Sequence, residues 1–98
     1  MVVKMDEVVM PNRERILQMA ELYGARKVRV FGSVARRQDD VDSDIDFLVD
    51  MEPGRSLLDL GGLLIDLEKL LNTKVDVVTE RGLKDRIRLR VINEAVPL

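Results

Sequence analysis

Asp44 and Asp46 stand two positions apart in the run Ser43-Asp44-Ile45-Asp46-Phe47-Leu48-Val49. The apolar residues that follow predict a strand over Ile45 to Val49. Side chains two apart in a strand share a face, about 6.5 Å from one another along the chain. The two carboxylates therefore project together while Ile45 turns into the core. Paired carboxylate oxygens suit Mg²⁺, which binds oxygen at about 2.0–2.1 Å. Such a pair can bridge two ions about 3.5–4 Å apart. Asp76, in the run Val75-Asp76-Val77-Val78, is the candidate third ligand. A lone carboxylate among valines costs stability unless something pairs with it. Ahead of Asp44, with ten residues between, Gly32-Ser33 closes the apolar run Val28 to Phe31. A glycine there allows a sharp turn and a close approach of backbone to ligand. Ser33 at a helix start would offer N–H groups and a hydroxyl to an anion. Phosphate and a hard metal are the chemistry these parts suit.

Each part has a plainer reading. Asp39, Asp40, Asp42, Asp44, Asp46 and Asp50 can form a solvated acidic face, and Gly32-Ser33 can be an ordinary strand-to-helix turn with an N-cap. A calcium loop beginning at Asp40 fails, because its glycine position holds Ile45 and its bidentate glutamate position holds Met51. Beginning at Asp42 fails likewise, at Phe47 and Pro53. No Gly-x-x-x-x-Gly-Lys is present, so the turn is not a P-loop, nor is it a dinucleotide fingerprint. The combination of turn and aspartates is what favours a site. The chain has no cysteine and no histidine, which removes disulfides, thiolate zinc sites and Cys- or His-based nucleophilic catalysis.

The elements needed to hold these residues follow from periodicity. Ninety-eight residues predict one domain spanning 1–98. Apolar content of 46% and charged content of 35% describe a globular chain. Ile16, Leu17, Ala20 and Tyr23 predict a helix after Pro11-Asn12, with Gly24 at its C-terminal end. Lys27 to Phe31 predicts a strand, and Ser33 caps a short helix to about Arg37. Ser56 caps a longer helix carrying Leu57, Leu60, Leu63, Leu64, Leu67 and Leu71, which Asn72 closes. Lys74 to Thr79 is a third strand, and Leu83, Ile87 and Val91 mark a last helix. Met1 to Met10 reads either as a frayed strand or as part of the first helix. The order is that of an α+β fold, a small mixed sheet with helices packed on it. Charges among the N-terminal apolar residues and the short apolar runs argue against a signal peptide or a membrane span, so a soluble cytoplasmic protein is expected. A formal net charge of -2 argues against stable, direct nucleic-acid binding.

Gly32-Ser33-Val34-Ala35-Arg36-Arg37, Ser43-Asp44-Ile45-Asp46 and Val75-Asp76-Val77-Val78-Thr79 together resemble the signature of the DNA polymerase β-like nucleotidyltransferase superfamily. They are closer still to its minimal nucleotidyltransferase branch, the antitoxin partners of HEPN toxins. The likeness runs from about Val28 to Thr79 and departs at Arg37, where the family usually has glycine. The resemblance implies a polymerase β-like palm fold. It also implies that Gly32 and Ser33 hold the β- and γ-phosphates of ATP, with Arg36 assisting. Asp44, Asp46 and Asp76 would bind two Mg²⁺ ions, and AMP would pass to a tyrosine of a HEPN toxin.

Larger members of the superfamily carry domains that seat an acceptor, so the shortness of this chain points to an acceptor on a partner protein. Arg81, Lys84, Arg86, Arg88 and Arg90 on the last helix are a candidate face for contact with an acidic toxin surface or with RNA, or else a solvated basic face. Two other functions stand beside the enzyme. One is a non-catalytic antitoxin that occludes its toxin; the other is a transferase acting on small molecules or RNA ends.

Overall fold

Alternation along one strand decides which face of the sheet meets which helix. In the computed structural model, which describes residues 3–98, strand β2 runs Ile45–Met51. Its Ile45, Phe47 and Val49 enter the main core, whereas Leu48 is buried on the opposite face. Strand β1 (Ala25–Phe31) pairs with it antiparallel, and β3 (Val75–Thr79) pairs with it parallel. A short β4 (Val96–Pro97) adds to the free side of β1, giving the order β3-β2-β1-β4. Pro97 lies on this edge strand, where its missing N–H costs no ladder bond.

Helices α1 (Arg13–Leu22) and α3 (Leu57–Leu71) cover the main-core face through Ile16, Ala20, Leu63, Leu67 and Leu71. The other face carries α4 (Asp85–Glu94), held by Leu83 and Val91 against Leu48. Between β1 and β2 stands the single-turn helix α2 (Gly32–Ala35). This is the expected α+β fold with a mixed sheet.

Local chemistry explains the ends of the elements. The Ser56 hydroxyl accepts from Leu58 N–H at 3.1 Å, and Asp59 accepts from Ser56 N–H at 2.9 Å, a complete capping box. Asn72 closes α3 in the left-handed region at φ 50°, and Gly24 follows α1 at φ 74°. Arg37 also sits left-handed, at φ 58°, which is a conformation that glycine adopts at no steric cost.

Of its two readings the N-terminal segment takes the helical one, with a π-turn over Met5–Val9 and a 3₁₀ turn over Met10–Asn12 leading into α1. Met1 and Val2 of that segment lie outside the described residues. Other expectations are corrected. β1 starts at Ala25, and a bulge between Arg26 and Arg29, with Lys27 at φ 50°, breaks its simple alternation. The fourth strand was not expected, being too short to show a period. Leu57 begins α3 on its solvent side and is 84% exposed. The last helix starts only at Asp85, leaving Arg81 and Lys84 outside it. Among the described residues no helix is long and apolar enough to cross a membrane.

Candidate active site

The parallel register sets Asp46 directly beside Asp76, and the antiparallel register sets Phe31 against Asp46. Since Gly32 follows Phe31, the turn arches over the Asp46 carboxylate. Gly32 has φ +75°, and a Cβ there would collide with Asp46 Oδ2. A side chain there would be strained by the backbone and would push the Asp46 carboxylate aside, so the turn favours glycine at this point. Asp44 lies just before β2, and both it and Asp76 are exposed. The exposure of Asp76 corrects the expectation that it needs a partner among valines. It faces away from the core on an edge strand, where water solvates it.

Asp46 is half-buried, and its carboxyl is pushed up to about 6. Burial is the largest cause, followed by the charges of Asp76 and Asp44; Arg36 opposes them and Glu94 adds to them. The three aspartates therefore crowd one another electrostatically. Among the described residues, however, no three carboxylates converge into a ready-made metal cage. Rotation about the side-chain bonds leaves the backbone register unchanged. From that register Asp44, Asp46 and Asp76 can close on a hard cation, whose charge would offset their repulsion.

Ser33 does not cap α2. Phe31 occupies the cap position, still extended because it pairs with Asp46, and no side chain caps the turn. Ser33 instead lies within the first turn, its hydroxyl free of a capping role. Arg36 is an exposed residue whose guanidinium pairs with Glu94 at 3.0 Å and with the Gln38 amide oxygen at 3.1 Å.

Two residues that periodicity passes over hold this site together. The first is Lys4, only 6% exposed. Its backbone N–H donates to Asp39 at 3.1 Å, and its ammonium donates to the carbonyls of Asp40 (3.2 Å), Val41 (3.3 Å) and Ser43. Lys4 thus pins the loop that delivers Asp44. Asp40 and Ser43 tie the same loop internally, so the acidic run is in part structural rather than a uniformly solvated face. The second is Glu94, which accepts a 2.7 Å hydrogen bond from Gly32 N–H. An acid at the C-terminal end of a helix, where the macrodipole disfavours it, is the one sequence signal that singles Glu94 out.

A cleft of about 730 Å³ lies elsewhere, beside the opposite ends of β2 and β3. Its charged residues are Asp50, Glu52, Arg55, Glu80 and Arg81. Glu52 and Arg55 pair with one another within that lining. Asp44, Asp46 and Asp76 take no part in it.

The sequence profile of the nucleotidyltransferase domain family matches residues 13–98. The protein adenylyltransferase MntA of Thermococcus cleftensis is 42% identical over 79 residues, covering 81% of this chain and 80% of that protein. A structure solved as a provisionally assigned minimal nucleotidyltransferase has a TM-score of 0.86 and 47% identity, covering 100% of this chain and 97% of that one. A toxin–antitoxin structure with AMP-PNP has a TM-score of 0.74 at 20% identity, covering 88% of this chain and 71% of that one, a likeness of fold.

Proposed function

Because the chain belongs to the nucleotidyltransferase domain family, we propose that it is a Mg²⁺-dependent adenylyltransferase that moves AMP from ATP to a tyrosine hydroxyl of a HEPN toxin, and so acts as an antitoxin. The observation that carries this reading is the placement of Asp46 beside Asp76, beneath the Gly32 turn. The protein acceptor is supported by the relative named a protein adenylyltransferase. The antitoxin role and the adenine nucleotide are supported by the fold neighbour solved as a toxin–antitoxin with AMP-PNP.

In this reading Gly32 N–H and the Ser33 hydroxyl bind phosphate oxygens, and Arg36 adds positive charge beside them. Asp44, Asp46 and Asp76 would hold two Mg²⁺ ions, which would supply positive charge to neutralise the triphosphate and acidify the acceptor hydroxyl. The acceptor oxygen forms a bond to the α-phosphorus on the side opposite the leaving group. The bond from that phosphorus to the oxygen bridging it to the β-phosphate breaks, and pyrophosphate departs with that oxygen. Asp76 takes the hydroxyl proton.

The test uses α-labelled ATP, Mg²⁺ and a HEPN-domain protein encoded beside this chain. Wild type should label that protein, and Asp44→Asn/Asp46→Asn should not. Tight complexes with both chains and label with neither would replace the enzyme by a binding-only antitoxin that works by occlusion.

A further inference from the structure

Glu94 ends α4 with its side chain 17% exposed and turned onto the Gly32 turn. One carboxylate oxygen accepts from Gly32 N–H at 2.7 Å, and Arg36 Nη1 donates to the two oxygens at 3.0 and 3.1 Å. Its other surroundings are unfavourable. The Asp46 carboxylate is near enough to be repelled by it, and a negative charge at a helix C-terminus opposes the macrodipole. Glu94 is therefore held where it is by the donors of Gly32 and Arg36. Those are donors that the proposed function assigns to nucleotide phosphates.

A backbone N–H has one hydrogen and cannot serve two anions fully. We propose that Glu94 is an internal competitor for the Gly32 amide and the Arg36 guanidinium, and that it sets the affinity of this chain for a nucleoside triphosphate. The inference rests on the phosphate-binding reading of Gly32 and Arg36. Rotation of the Glu94 side chain frees both donors without moving the sheet, because Glu94 is the last residue of α4 and Ala95 after it is already extended. A triphosphate, with several charged oxygens, outbids one carboxylate for these donors; a ligand with a single weak charge does not. Glu94 thus disfavours weakly charged ligands as well as lowering the affinity for ATP.

Calorimetric titration of ATP with Mg²⁺ into wild type, Glu94→Gln and Glu94→Ala tests this, with thermal melts to show that each variant is folded. Glutamine keeps an acceptor for Gly32 N–H but loses the charge, so it also serves if the alanine variant does not fold. Hydrogen bonds to charged groups are strong enough that losing the competitor should tighten ATP binding roughly tenfold. In the ligand-free variants the Gly32 amide resonance should move away from its wild-type position, and with ATP all three chains should converge. Equal or weaker binding by the folded variants overturns the inference, leaves the nucleotide reading standing, and makes Glu94 a support for Arg36. No ATP binding by wild type or either variant removes the nucleotide reading, and this inference with it.

Discussion

Asp46 lies half-buried between two other aspartates, and burial together with the charges of Asp76 and Asp44 pushes its carboxyl up to about 6. In the unfolded chain it titrates near its ordinary value of 3.8. The folded state therefore holds this proton more tightly than the unfolded state does. The stability that results is complete below about pH 3.8 and is lost as the pH rises through about 6. Above that window the ionised carboxylate strains the fold. Asp46→Asn should consequently be more stable than wild type at pH 7, by about 1 kcal/mol once the shift is discounted for solvent screening. The advantage should shrink at pH 4.5. Urea midpoints of both proteins at the two pH values read it, and an asparagine variant less stable at pH 7 would contradict the electrostatic account. Added Mg²⁺ should raise the wild-type midpoint more than the variant's, because the variant lacks one of the proposed ligands.

Among the elements, α3 is the one whose ends and face follow most directly from local chemistry. Ser56 and Asp59 satisfy orphan N–H groups at its start, Asn72 turns it off, and Leu63, Leu67 and Leu71 recur on its buried side. Ser56→Ala should cost about 1 kcal/mol in chemical denaturation. It should leave the proposed AMP transfer unchanged, since the cap lies past the end of β2 opposite Asp46. A loss of transfer at unchanged stability would show that α3 reaches the chemistry. α2 teaches the opposite lesson. It has four residues, too few for a period, and its start is set by the pairing of Phe31 with Asp46 rather than by Ser33. Arg37 just after it sits left-handed at φ 58°, a conformation that glycine would adopt at no steric cost.

At the scale of the whole molecule, the sheet separates two tasks. One face carries the main core with α1 and α3; the other carries Asp46, Leu48 and α4. Packing onto Leu48 of Val91 in α4, and of Leu83 just before that helix, is what brings Glu94 to the Gly32 turn. Leu48 is completely buried, and Leu48→Ala should cost about 2–5 kcal/mol. It should also loosen α4, so hydrogen exchange of the α4 amides should rise more than that of α1. Uniform exchange across both helices would mean that α4 does not depend on this contact. The basic residues fare differently from one another: Arg88 is tied to Glu80, Leu83 and Asp85, while Arg86 and Arg90 remain exposed. The cationic face of α4 is thus narrower than five charges in sequence suggest.

Residue types and spacing alone determined much of this protein. Strand alternation and the Gly32-Ser33, Asp44-x-Asp46 and Asp76 positions implied a sheet bearing a phosphate-and-metal site. Leucine spacing and caps implied α3, because those signals act within a few residues of one another. Contacts between distant segments are invisible at that range. Only the tertiary structure brought Lys4 to the loop before Asp44, gave Asp46 its shifted carboxyl, and set Glu94 on the Gly32 amide, 62 residues away in sequence. Those outcomes depend on strand register and on which face a helix covers, and both are decided by burial of the whole sheet. The Gly32-Ser33 turn was legible in the chain; the Glu94 carboxylate resting on its amide was not.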